Sequence, residues 1–400
     1  MDLSFTPEEE AFRAECRAWL EKNVPRPALA SGDTRAGFTA HLVWERALFD
    51  ARYAVVSWPA EYGGRDASLW EWLIFEEEYY RVGAPQRVTQ NGIFLLAPTV
   101  FTFGTDEQKQ RILPKMAAGE QTWCQGWSEP NAGSDLAGIQ SKAVRDDASG
   151  GWRLSGQKTW TTRGAFCTHL FGLFRSDPAA ERHRGLTYFL VDLSAPGVTV
   201  TGVERLDGDE GFAEVFLDDV FVPDADVLGE PNQGWSVAMA TTGSERGLTL
   251  RSPGRFLATA QRIIDLYHAQ GGDSDATGGE RSAEPTQISR EDPMLRDRLV
   301  AAYIDAEAYR WQTFWTVTRL AEGAATGPES SMVKVFWSEL DVRLHELALE
   351  LLGPHAELLD GPDAAWMKGY EFALAGPIYA GTNEIQRNVV AERVLGLPRA

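Results

Sequence analysis

The stretch QGWSEPNAGSDLAG, residues 125–138, gathers small and polar residues where a strand gives out at Ser128. Pro130, Asn131, Gly133, Ser134 and Gly138 predict a loop that brings main-chain N–H groups up to an anionic or amide-rich ligand. The same composition suits an ordinary connection between strands, and both readings stand at this point. A second stretch, GPIYAGTNEIQR at 376–387, reads as a buried approach, a glycine turn and the start of a charged helix, with the bare methyl of Ala380 between Tyr379 and Gly381. Other chemistries have no signal. No GxGxxG follows a strand and no GxxxxGK is followed by Ser or Thr, so Rossmann and P-loop nucleotide sites lack support. His41, His169, His183, His268, His345 and His355 have no Ser or Cys elbow nearby and read as structural. Cys16, Cys124 and Cys167 form no CxxC and no His pairing at metal spacing; they read as buried small hydrophobes in a reducing compartment, with no metal site.

The elements that position these stretches fall into three runs. Residues 1–121 read helical. In TPEEE, Thr6 caps, Pro7 takes the first helical position and Glu9 closes a capping box, after which Phe12, Cys16, Trp19 and Leu20 recur at helical spacing. GTDEQKQRILPKMAAGE at 104–120 repeats the device with Thr105 and Gln108. Over 122–230 the period changes. WRLSGQKTWTT, THLFGLFRS, LTYFLVDLS and FAEVFLDDVFVP are short β-branched or aromatic runs bounded by turn residues, as in an antiparallel sandwich or barrel. Over 231–400 helical periodicity returns. One helix starts at Asp292-Pro293 and runs toward Gly323, and a second from about Pro328 ends at Gly353-Pro354; a short Gly/Pro turn between them predicts antiparallel packing in a bundle. GGDSDATGGERSAEPTQ, residues 271–287, is too polar and glycine-rich to pack and is expected to be a mobile surface loop.

At 400 residues the chain is expected to form two or three packed units. A formal net charge of -20 repels phosphate backbones and anionic lipid, so neither a nucleic acid nor a membrane is an expected partner. MDLSFTPEEE has no basic segment followed by an apolar one, and about 18 uncharged apolar residues run together nowhere. A soluble cytoplasmic protein is the expectation.

SWPAEYGG (57–64), GTDEQKQRILPKMAAGE (104–120), SEPNAGSDLAG (128–138), GQKTWTTRG (156–164), LDDVFVPDADVLGEPNQGW (217–235) and IYAGTNEIQRNVVAERVLGLPR (378–399) resemble, in order and spacing, the acyl-CoA dehydrogenase family. The resemblance covers nearly the whole chain. It implies an α+β protein: an N-terminal helical domain, a middle β domain and a C-terminal four-helix bundle, with FAD between the last two. By position, Trp127 and Ser128 would line the flavin ring, and Gly133 and Ser134 would sit beside the flavin phosphates and the acyl-CoA thioester region. Trp160 and Thr162 match the family's flavin-stacking tryptophan and its neighbouring hydroxyl; an aromatic face beside a hydroxyl suits a planar ring that must be held and tuned. Thr382 and Glu384 match the turn that contacts FAD. Glu350 and Gly353 match positions that reach a neighbouring subunit's cofactor. Arg246, Tyr379, Ala380 and Gly381 join Ser134 as substrate-side residues.

Two departures from the family pattern matter. Where most of the family has a glutamate that removes the substrate α-proton, this chain has Ala380, which cannot. Some branches carry the glutamate on an earlier helix, and ATTGSERGLTL at 240–250 offers Glu245 at the corresponding place; the plainer reading is a surface Glu-Arg step. The family's Arg-x-x-Phe-Gly segment is not recognisable in GGERSAEPTQISRED, where Arg281 and Arg290 are the nearest stand-ins. Some actinobacterial relatives act on steroid side chains and pair unlike subunits. The expected activity is therefore FAD-dependent α,β-dehydrogenation of an acyl-CoA, branched and bulky groups included, with electrons passing to an electron-transfer flavoprotein and a homo-oligomer as the default assembly. The rivals are a flavin oxidase or monooxygenase and a non-catalytic subunit that completes a partner's FAD site.

Overall fold

The computed structural model describes residues 4–246, 252–269, 292–324, 327–361 and 363–398; side chains at 244–246 are outside that set. The predicted loop at 271–287, with Arg281 and Arg290, lies outside the described residues. The chain divides into two compact units, Met1–Phe75 with Ala84–Leu250 and Glu76–Gly83 with Arg251–Ala400.

The first unit opens with helices whose ends are written in the sequence. At α1 (Pro7–Asn23) the Thr6 hydroxyl accepts from the Glu9 N–H at 3.2 Å and the Glu9 carboxylate accepts from the Thr6 N–H at 2.8 Å. Phe12, Cys16 and Leu20 then bury one face at a four-residue spacing. Next come α2 (Arg35–Asp50), α3 (Leu69–Arg81), whose residues from Glu76 on are assigned to the second unit, and α4 (Ala97–Phe103). At α5 (Asp106–Ala117) Thr105 and Gln108 form the same reciprocal cap, and Gln108 Nε2 also donates to the carbonyls of Ala225 at 3.0 Å and Val227 at 2.7 Å. One cap residue thereby ties a helix to the end of the sheet.

The sheet holds β1 (Trp123–Gly126), β2 (Lys142–Asp146), β3 (Gly151–Lys158), β4 (His169–Arg175), β5 (Leu186–Asp192), β6 (Val198–Val203) and β7 (Phe212–Pro223). Its path is β1-β4-β2-β3-β7-β6, with β5 on the other edge of β4. Most pairings are antiparallel, but β1 runs parallel to β4, Trp123 opposite His169, and Lys142 of β2 meets Arg175 of β4 in parallel register. A parallel pair needs a crossover, and the long excursion from 127 to 168 supplies it while carrying the loops at 128–138 and 159–164. Leu154, Phe174, Phe189, Val215 and Val220 fill the core beneath the sheet. Helix α6 (Gly234–Arg246) belongs to this unit, where its Thr241 hydroxyl meets that of Thr99 at 2.8 Å and the Tyr188 phenol at 3.4 Å.

In the second unit α7 (Pro253–Ala269), α8 (Pro293–Ala321) and α9 (Ser330–Leu352) bury Phe256, Ile263, Tyr309, Trp337, Leu344 and Leu351 against one another. Asp292 caps α8 through the Met294 N–H at 2.8 Å, with Pro293 in the first turn. Helices α10 (Ala364–Ala373) and α11 (Asn383–Val389) pack on α9. Among the described residues no helix is long and apolar enough to cross a membrane, and no group of three His, Cys, Asp or Glu is placed to hold a metal ion.

One irregularity steers the sheet toward the loops. The β3/β7 register slips between Leu154 and Gly156, and Gly156 takes a φ of 148°, where an added Cβ would stand 2.2 Å from Ser141 Oγ. Gly156→Ala is expected to cost about 2 kcal/mol or more through strain and the clash. Urea unfolding measures it, and an unchanged midpoint would contradict the bulge.

Candidate active site

The two motif loops meet at one end of the sheet. Strand β1 stops at Gly126, two residues short of the expected Ser128, and β3 stops at Lys158 before reaching Trp160. The strands end early because the chain pairs across the gap: the Ser128 carbonyl accepts from the Thr159 N–H at 2.9 Å. Beyond it Trp160 and Arg163 both adopt left-handed backbone, each with a φ of 56°. For a non-glycine residue that costs about 1 kcal/mol or more. The turn is held by main-chain bonds from Thr161 to Ala213 and from Arg163 to Gly211, both 3.0 Å. Its product is a tryptophan left 62% exposed, with the Phe212 ring perpendicular to it at 5.8 Å between centroids. Two buried polar atoms in these loops have no partner, Trp127 Nε1 and the Thr161 hydroxyl. An exposed aromatic face, flanked in sequence by unpaired buried donors and by the half-buried Ser128 and Thr162, fits a planar heteroaromatic ring that carries acceptor atoms. Gly133 and Ser134 stand exposed at the tip of the other loop, and a Cβ on Gly133 would meet nothing within 4 Å.

A buried ion pair fixes how the loops meet. Lys158, fully buried, donates to Glu129 at 2.7 Å and to the Leu173 carbonyl at 2.8 Å. Glu129 also accepts from the N–H groups of Gln140 at 2.6 Å and Ser141 at 3.0 Å, so one carboxylate closes the whole 129–141 loop. Burial pushes Lys158 down to about 8, against the pull of Glu129. Burial would raise Glu129, but Lys158 and the two main-chain donors outweigh it and hold the carboxyl below its ordinary value. Neither residue stood out in the sequence, although both lie inside quoted motifs, because β3 already mixes Arg153, Ser155 and Gln157 with its apolar residues.

The second unit holds the other motif. Ala380, at a φ of 58°, and Gly381, at 77°, form a left-handed turn. Gln386, wholly buried, donates from Nε2 to both their carbonyls, at 2.8 and 3.3 Å. Thr382 caps α11 through the Ile385 N–H at 3.3 Å. Beneath the turn, Asn383 Oδ1 accepts from buried Lys334 at 2.8 Å and from Ser338 at 3.2 Å. Tyr379 packs its ring 6.0 Å from that of Trp337. Glu384 is exposed, and its own N–H and the Thr382 hydroxyl hold its carboxyl below the usual range.

Glu350 and Gly353 lie elsewhere. Glu350 pairs with Arg298 of α8 at 2.5 Å on the surface, and Gly353, at a φ of 53°, ends α9. From Ser338, under the turn, to Glu350 the helix rises roughly 18 Å at 1.5 Å per residue. Within one chain Thr382 and Glu384 are therefore not brought together with Glu350 and Gly353. Glu245 and Arg246 stand in the last turn of α6, and their side chains lie outside the described residues. A pocket of about 690 Å³ in the first unit, lined by Thr105, Arg111, Arg145, Trp152 and Asp224, includes none of these residues, and its arginines are paired with Asp226 and Asp224.

Because Glu129 titrates lower folded than unfolded, its contribution is whole above the ordinary glutamate value of about 4.3 and is lost as pH falls through the folded value. Glu129→Gln, which leaves Lys158 buried without its counter-charge, is expected to cost roughly 3 kcal/mol at pH 7. It should also flatten the fall of Tm between about pH 5 and pH 3. Thermal unfolding across that range checks both.

Comparison with known proteins bears on the family and the fold. Family profiles for the acyl-CoA dehydrogenase N-terminal, middle and C-terminal domains match residues 6–120, 124–220 and 232–395. The chain is 37% identical over 400 residues to acyl-CoA dehydrogenase IpdE1 of Mycobacterium tuberculosis, covering 98% of each. It is 26% identical to cyclohexane-1-carbonyl-CoA dehydrogenase of Geobacter metallireducens, again over 98% of each. Among solved structures, the ChsE4-ChsE5 complex from Mycobacterium tuberculosis aligns over all of both chains at 29% identity with a TM-score of 0.80. With three consecutive domains matched along nearly its full length, this chain belongs to the acyl-CoA dehydrogenase family, oxidoreductases that act on a CH–CH bond and use FAD.

Proposed function

We propose that this chain catalyses FAD-dependent α,β-dehydrogenation of an acyl-CoA thioester to the trans-2-enoyl-CoA, with electrons passed on to an electron-transfer flavoprotein. The observation that carries the reading is the exposed, backbone-strained Trp160 next to the unpartnered Thr161 hydroxyl, with Trp127 Nε1 unpartnered on the adjoining loop. Trp127, Ser128, Trp160 and Thr162 would hold the ring, Gly133 and Ser134 the phosphates, and Thr382 and Glu384 a further part of the cofactor. When bound, FAD supplies the acceptor for the substrate's β-hydride.

The remaining work falls to the chain's own groups. The α-proton of a thioester is weakly acidic, so its removal needs a carboxylate whose basicity is raised by desolvation, and an aimed donor for the enolate oxygen. Glu245 is the proposed base, with Arg246 beside it. The Ala380 N–H is the proposed donor to the thioester oxygen, a role open to any residue in that turn because it belongs to the backbone. Ser134, Tyr379 and Gly381 are the proposed neighbours of the acyl-CoA.

A methyl at position 380 in place of a carboxylate leaves room near the acyl α-carbon, which favours branched or ring-bearing acyl groups. The relative named for cyclohexane-1-carbonyl-CoA supports that class. The roughly 18 Å along α9 between the Thr382 turn and Glu350 supports an oligomer in which Glu350 and Gly353 serve a neighbouring subunit's cofactor. A relative solved as a two-component complex makes an unlike partner the alternative to a second copy.

Anaerobic titration with straight, branched and ring-bearing acyl-CoAs tests the reading through the flavin absorbance. Bleaching by the bulky classes is expected, with slow reoxidation in air setting it apart from an oxidase. A colourless protein, or a yellow one that no thioester bleaches, would instead favour a non-catalytic subunit. Glu245→Gln should leave FAD bound and reduce bleaching by about 10³-fold or more; retained turnover would place the base elsewhere.

A further inference from the structure

Trp160 stands just past the end of β3 in a strained turn, with Phe212 of β7 against its ring. The segment that follows the turn is gripped by residues between α1 and the middle of α2. Arg163 Nε donates to Asp33 Oδ1 at 2.6 Å, Arg35 Nη2 donates to the Ala165 carbonyl at 2.8 Å, and the Phe38 and Phe166 rings lie 5.6 Å apart. The hub of this grip is Asp33, 5% exposed and 130 residues from Arg163 in the chain. Its second oxygen, Oδ2, accepts from Arg205 Nη1 at 2.7 Å. Arg205 lies on the β6–β7 connection, where it also pairs with Asp207 at 2.7 Å and faces Asp209 at 3.8 Å. That connection ends at Gly211, whose carbonyl holds the Arg163 N–H, and Ala213 at the start of β7 holds the Thr161 N–H.

We propose that Asp33 is a positioning residue for the cofactor site: by spending each carboxylate oxygen on a different arginine, it locks the Trp160 turn against the β6–β7 connection. The inference rests on the reading of Trp160 as the residue that stacks on the flavin. Each arginine sits on one of the two backbone segments that define the turn. A single carboxylate between them converts two independent loops into one rigid support. Burial alone would raise the Asp33 carboxyl, but Arg163 and Arg205 outweigh it and keep it charged, as a bridge between two cations requires. An asparagine there keeps one acceptor and turns an N–H₂ toward the other arginine. The left-handed φ of Trp160 is then left without its outer brace.

The test uses the purified FAD-loaded protein and reads FAD affinity and the fluorescence of bound flavin, which a stacked indole quenches. Asp33→Asn is expected to weaken FAD about tenfold and to raise the bound-flavin fluorescence. Leu20→Ala, which opens a cavity under α1 and removes none of these ion pairs, should lower Tm comparably and change neither signal. Arg163→Gln, which cuts the link on the turn side and leaves Asp33 paired with Arg205, should reproduce the effect if Asp33→Asn does not fold. In a Trp160→Ala background Asp33→Asn should add nothing. Effects that multiply in that background, or normal FAD affinity and quenching in both variants, would overturn the inference. If Trp160→Ala alone changes neither signal, the stacking reading fails and this inference with it. If Trp160→Ala weakens FAD while Asp33→Asn and Arg163→Gln do not, only the positioning role falls.

Discussion

A lysine and a glutamate removed from water set the shape of the first unit's working end. Lys158 and Glu129 are both buried, and an unpaired charge in that setting would cost several kcal/mol. Each must therefore find the other, and in doing so they fix where β3 ends and how the 129–141 loop closes. Neighbouring features follow from that constraint: the early exit of β3, the Ser128 to Thr159 main-chain bond, and the departure of Trp160 from the sheet. The bulge at Gly156 serves the same end, since only a residue without a Cβ tolerates the approach of Ser141.

Much of the architecture was legible in the residues. The capping boxes at Thr6 and Thr105, the start of α8 at Asp292-Pro293 and the break at Gly353 are local events, decided by a few adjacent side chains, and the chain follows them. The parallel pairing of β1 with β4 was not legible, because it depends on a crossover that composition does not encode. Nor was the end of β3: TWTT reads as continuing strand on β-propensity, yet a left-handed turn wins because tertiary bonds to Ala213 and Gly211 hold it.

The candidate site divides in the same manner. Trp127, Ser128, Trp160 and Thr162 were found through a resemblance that spans the chain, and the fold brings their loops together. Asp33 carries no sequence signal at all. It is one acid among 58 Asp and Glu residues, in a segment matching no motif, and only its burial between two arginines marks it. In the second unit, roughly 18 Å of α9 separates Ser338, beneath the Thr382 turn, from Glu350, so residues grouped by resemblance are not brought together within one chain.

The turn at 379–382 has an implication for how such proteins change over time. Its left-handed shape is enforced by Gln386 from below and by the Thr382 cap, neither of which touches the side chain of residue 380. Position 380 can therefore gain or lose a carboxylate with little penalty to the scaffold, provided the newcomer is not β-branched. Chemistry and architecture at that point are inherited separately. A single substitution there can thus add or remove a carboxylate while the frame of the turn stays as it was.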